Sequence, residues 1–170
     1  TTNLSGSGVI NTQSATFLNG CNVTLLSNQQ FKYANILSGG TFNLNGYKAS
    51  FNGSGTPFSN SGTLNLINST IELNGTSSQT VPHGITFKNL YLNNTAGTNS
   101  AGTLNVNDTV KVLAGFLNIV SHTLALGTTG YLSEVNGVVR GTTGSITAAR
   151  TLTNPVNANI AGLGATITST

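Results

Sequence analysis

Charge is what this chain has least of. Asp, Glu, Lys and Arg make up 5% of its 170 residues, against roughly a quarter in ordinary soluble domains. The three acids, Glu72, Asp108 and Glu134, stand dozens of residues apart. Glycan hydrolysis or elimination on a β-scaffold requires convergent carboxylates, or a carboxylate beside Lys or Arg. These three read instead as solvated surface charges, so no catalytic residue is expected. A single Asp excludes a calcium-binding β-roll, which repeats Asp in every nonapeptide. Zinc requires three or four Cys, His or acidic ligands, and His83 and His122 are lone histidines in turn or surface contexts. No metal and no cofactor are expected, and no nucleophile-elbow phrase supports a Ser-His-acid triad.

Other scarcities narrow the fold. The lone Cys21 excludes an internal disulfide and reads as a small buried apolar residue. Methionine is absent, Glu and Lys are few, and no run repeats at i, i+3, i+4, i+7, which argues against helix. No apolar run approaches the ~18–20 residues that a membrane-crossing helix needs. There is no initiator Met and no charged-then-apolar leader, so the chain reads as a mature or excised piece. The net charge of +3 rests on scattered cations, Lys32, Lys48, Lys88, Lys111, Arg140 and Arg150. Nucleic-acid binding draws on clustered ones and is not expected.

What the chain does have is alternation. Ile85–Leu92, Thr103–Val106, Thr109–Val112, Phe116–Ile119 and Thr123–Leu126 each alternate apolar and polar residues, the period-2 signature of strands with one buried face. Regular Val, Ile, Leu and Phe positions distinguish the chain from a disordered one. Brief turn segments separate the strands, and Asn-Gly recurs at 19–20, 45–46, 52–53, 74–75 and 136–137, where both residues tolerate positive φ. Asn side chains at such turns can also stack into ladders between coils. A phrase repeats as well: Gly40-Thr-Phe-Asn-Leu, Gly62-Thr-Leu-Asn-Leu and Gly102-Thr-Leu-Asn-Val, with Gly115-Phe-Leu-Asn-Ile as an echo. Self-similarity near a ~20-residue period marks a solenoid, whose repeats bury their apolar faces only by stacking.

The expected fold is therefore all-β, a parallel β-solenoid or β-helix, right-handed by the usual preference for parallel crossovers. A β-sandwich is the alternative, since it too has short strands and frequent turns. Residues 1–127 read as coils, with a lead-in strand around Val9-Ile10. Residues 128–170 read as looser terminal coils or a cap of the same domain. Alternation points Phe17, Phe42, Leu64, Leu66, Phe87, Leu104, Val106, Val110, Val112, Leu117, Ile119, Leu124 and Leu126 inward.

For binding, Tyr33, Tyr47, Tyr91 and Tyr131 are able to stack on a sugar ring, and Tyr91 with Tyr47 or Tyr131 is the aromatic platform to expect. Tyr91, flanked by apolar Leu90 and Leu92, should face outward and be the best exposed. Thr151-Leu-Thr153 and Thr166-Ile-Thr168 are too few for an ice-binding lattice. Asn-x-Ser/Thr phrases follow from composition alone.

The phrases Gly84-Ile-Thr-Phe-Lys-Asn-Leu-Tyr-Leu-Asn-Asn94, Gly137-Val-Val-Arg-Gly141 and Gly162-Leu-Gly-Ala-Thr-Ile-Thr168 resemble the repeat regions of Bacteroidetes surface proteins exported by the type IX secretion system. The resemblance covers most of 80–170 and, more loosely, 15–75. It implies an extracellular, cell-surface, adhesive or filament-forming protein. In that setting Asp108-Thr109-Val110 matches the short pattern that takes O-glycans, which would make Thr109 a modification site. The expected function is a structural or adhesive module working through self-association or surface and glycan contact. The alternatives are a glycan-binding module and, further off, a polysaccharide-active enzyme.

Overall fold

A computed structural model describes residues 2–4 and 14–168. The lead-in strand expected around Val9-Ile10 lies outside the described residues. Among the described residues there is no helix; short strands stack in parallel to form a β-solenoid of about seven turns.

The coils have three faces. Face I stacks Thr2–Leu4, Asn22–Leu25, Thr41–Asn43 and Thr63–Asn65. It resumes at Thr86 and continues through Leu104, Thr123–Leu126 and Ser145–Ala148. Face II runs unbroken from Gln29–Phe31 through Lys48–Phe51, Thr70–Leu73, Asn89 to Leu92 and Thr109 to Val112, ending at Tyr131–Glu134. Face III stacks Ala15–Phe17, Ala34–Ile36 and Phe58–Asn60, then starts afresh at Gln79–Val81 and reaches Gly137–Arg140. The parallel pairing excludes a sandwich.

Coil length varies at the corners. Ala15 pairs with Ala34, 19 residues on, whereas Ala34 pairs with Phe58, 24 on. The strands stay in register because surplus residues loop out where Asn and Gly accept positive φ, as at Asn45-Gly46 and Asn68. Asparagines also close their own turns. The Oδ1 atoms of Asn43, Asn65 and Asn118 each accept the backbone N–H two residues on, at 3.0 to 3.2 Å. An inter-coil asparagine contact occurs where Asn118 donates to Asn99 at 3.2 Å.

The interior is one continuous core. Phe17, Phe42, Phe31, Phe51, Phe58 and Phe87 follow one another through the first five coils as a ladder, with ring centroids 4.8 to 6.3 Å apart. Later coils fill the same space with Leu, Val and Ile. The residues expected to point inward are buried, apart from Leu64, which is only half-buried. Its neighbour on face I is missing, as described below.

The coils continue past Gly127. Tyr131–Glu134, Gly137–Arg140 and Ser145–Ala148 all pair in parallel with the coil before. Beyond Ala148 the chain crosses the end of the stack: Ala158–Asn159 and Thr166–Ile167 pair antiparallel, and Leu132 donates to the Ala161 carbonyl at 2.8 Å. The Arg150 guanidinium holds the Gly127 carbonyl at 2.6 Å and the Gly130 carbonyl beside it.

Candidate functional site on the outer faces

Face II carries four of the nine charged residues, Lys48, Glu72, Lys111 and Glu134. Its outward residues form columns up the stack: Gln30, Ser50, Glu72, Tyr91, Lys111 and Ser133 in one, Lys48, Thr70, Asn89, Thr109 and Tyr131 in the next. Glu72 corrects an expectation. It is not solvated but 6% exposed, because Lys48 reaches over it at 2.6 Å and Ser50 donates to it at 2.7 Å. Asp108 pairs with Lys88 at 3.1 Å. Glu134, on the last rung, turns to accept the Val139 N–H at 2.5 Å.

The tyrosines do not form a platform. Tyr91 is not the most exposed of them, because Lys111 lies 5.2 Å from its ring centroid and covers it. Tyr131 and Tyr47 are 46% and 36% exposed. Tyr131 sits two rungs above Tyr91 and one column aside, a separation of about 10 Å along the stack. Tyr47 lies in the turn before Lys48–Phe51, two rungs below Tyr91. Tyr33 sits elsewhere; the Ser54 hydroxyl, 3.3 Å away, holds its phenol below the usual tyrosine range. Thr109 is half-exposed, and its hydroxyl donates to Asp108 at 3.2 Å.

Two features escaped the sequence reading. Phe116 is the one phenylalanine outside the core, lying across Gly97 with the Arg140 guanidinium 3.3 Å from its ring centroid. Its place opposite the Leu117–Ile119 alternation was the available signal. The other feature is a breach in face I between Thr63–Asn65 and Thr86. Thr70 follows Thr63 by seven positions in one coil, but Asn89 follows Thr86 by three in the next. The first coil rounds its corner through Leu66-Ile67-Asn68-Ser69, while the second cuts it with Lys88 alone, so the two rungs diverge. Comparing corner lengths between repeats would have found it.

Among the described residues no group of three or more His, Cys, Asp or Glu side chains is placed to hold a metal. His83 packs on Gly102, and Cys21 is half-buried against the core. Among the described residues no helix is long and apolar enough to cross a membrane. The fold defines the chain as a β-solenoid. No protein-family model, curated protein or solved structure matches it.

Proposed function

We propose that the chain is a structural or adhesive module of an extracellular, cell-surface protein or filament, acting without catalysis. The observation that carries this reading is the terminal coil. Among the described residues its face III strand, Gly137–Arg140, has a strand neighbour on one side only, and Val135 and Val138 are exposed there. An open parallel edge offers backbone hydrogen bonds to a second chain. The Glu134 carboxylate on the Val139 N–H is the kind of charged guard that natural edges use to moderate such pairing. The neutral Asn, Thr and Ser of the outer faces add little repulsion between sister chains. The likeness to type IX-exported surface proteins points the same way.

Light scattering and electron microscopy over a rising concentration series test the proposal. Concentration-dependent assembly, unchanged in Tyr47→Ala, Tyr91→Ala and Tyr131→Ala, is expected. A strictly monomeric chain that binds a defined oligosaccharide and loses it on Tyr91→Ala would defeat it. So would turnover of a polysaccharide abolished by replacing Glu72, Asp108 or Glu134.

A further inference from the structure

The breach in face I leaves hydrogen-bonding groups that the fold does not use. In a parallel stack alternate residues point their N–H and C=O to opposite neighbours. Thr63 donates to the Gly40 carbonyl, and the Asn65 carbonyl accepts from Leu44. Both residues therefore bond to the preceding coil, and Leu64 presents its N–H and C=O to the next one. There Thr86 faces back across the gap. Among the described residues Thr63–Asn65 pairs only with Thr41–Asn43, so neither wall finds the other.

The gap is a cavity of about 480 Å³ whose lining includes Thr63, Asn65, Ile67, Thr86, Lys88 and Asn107. That volume falls within the range of small-ligand sites. Its one cation, Lys88, is already neutralised by Asp108 at 3.1 Å. Across Ile67 lies a second depression of about 270 Å³, lined by Asn43, Asn45, Gly46 and Asn68 and sharing Asn65 with the first. Asn43 and Asn65 spend their Oδ1 atoms on their own turns, which leaves each Nδ2 to donate outward. Ile67 stands between the depressions as a 70% exposed ridge.

We propose that this breach binds a neutral oligosaccharide, with one sugar ring in each depression and an apolar ring face against Ile67. Hydroxyl groups both donate and accept, as do the amides, threonine hydroxyls and open backbone groups lining the site. The neutralised lysine leaves no net charge for an anionic sugar to answer. An extended peptide would also use open backbone groups, but it draws its specificity from side-chain pockets along the edge. The main depression instead mixes apolar Leu64, Leu66, Ile67 and Phe87 with the amides of Asn65 and Asn107 and the hydroxyls of Thr63 and Thr86, the pairing of apolar face and hydrogen-bonding edge that a sugar ring presents. This proposal goes beyond the assembly reading and turns on Ile67→Ser and Asn65→Ala, which the assembly test does not use.

The full chain is screened against immobilised neutral tetrasaccharides of gluco-, manno- and galacto-configuration, with a uronic-acid tetrasaccharide and an uncharged decapeptide alongside. Binders are then measured by calorimetry. The expected result is binding of at least one neutral sugar. Ile67→Ser and Asn65→Ala each weaken it about tenfold, the scale of one or two lost contacts. Tyr91→Ala leaves it unchanged. Ile67 is a surface side chain, so Ile67→Ser keeps the fold, which far-ultraviolet circular dichroism verifies. Binding of none of the neutral sugars, preference for the uronic acid or the peptide, or full affinity in Ile67→Ser would overturn the proposal.

Discussion

Replacing Gln79 with Leu should be among the most damaging single changes in the molecule. Gln79 is 0% exposed and ties three coils together. Its Nε2 donates to the Phe51 carbonyl at 2.9 Å and the Gly53 carbonyl at 2.7 Å. Its Oε1 accepts from the Gly75 N–H at 2.9 Å and the Asn94 amide at 2.8 Å. Leucine fills similar space, so a cavity is not the main cost. The four partners are not equally stranded. Phe51 still accepts from Asn74 at 2.9 Å, and the Asn94 amide still donates to Ser77 at 2.8 Å. The Gly53 carbonyl and the Gly75 N–H lose the partner Gln79 gave them. At about 1–3 kcal/mol for each buried group left unsatisfied, the expected loss is about 4 kcal/mol. Urea unfolding followed by far-ultraviolet circular dichroism measures it through the midpoint, with the slope reporting whether coils three to five unfold separately. A loss under about 1 kcal/mol at unchanged slope would refute the idea that this side chain holds the corner together through satisfied polar groups.

Ser100 is the converse case. Its buried hydroxyl has no partner among the described residues, so Ser100→Ala should raise stability by about 1 kcal/mol in the same assay. Gly115 has φ +69°, and a Cβ there would overlap the Asn94 carbonyl. Gly115→Ala should therefore cost clearly more than Gly20→Ala, which has φ +76° but open space around it and should lose only the ~1–2 kcal/mol of the left-handed conformation. Equal losses, read from melting curves, would contradict the steric argument. Glu134→Ala uncovers the Val139 N–H at the open edge and should lower the concentration at which chains associate in light scattering. An unchanged threshold would remove Glu134 as a guard.

Much of the fold was legible because a solenoid writes its geometry locally. Alternation placed Val110 and Val112 inside and Lys111 outside without any knowledge of the neighbouring coil, and the recurring Gly-Thr-x-Asn phrase supplied the period. What was not legible depends on residues about 20 apart that meet only after stacking. Glu72 looks like any surface acid until Lys48 and Ser50, from the preceding rung, close over it. Leu64 alternates correctly and still stays half-exposed, because the next coil turns its corner through Lys88 alone. The breach is a difference between two corner lengths, and no single stretch of sequence displays it. Phe116 shares its residue type with six core phenylalanines, and only the Gly97 beneath it and Arg140 above it set it apart.

The cations, finally, bear on how quickly the molecule meets anything. Lys48 and Lys88 lie against carboxylates. Lys32, Lys111 and Arg140 lie against aromatic rings, and Arg150 is spent on carbonyl oxygens. Spread over separate coils and locally engaged, they build no focused potential to draw a partner from a distance. Encounters should proceed at the unsteered rate of about 10⁵–10⁶ M⁻¹s⁻¹ and vary little with ionic strength. For such a surface, capture depends on how many copies are held close together rather than on long-range attraction, and an array of coils fixed side by side would gain most from that arrangement.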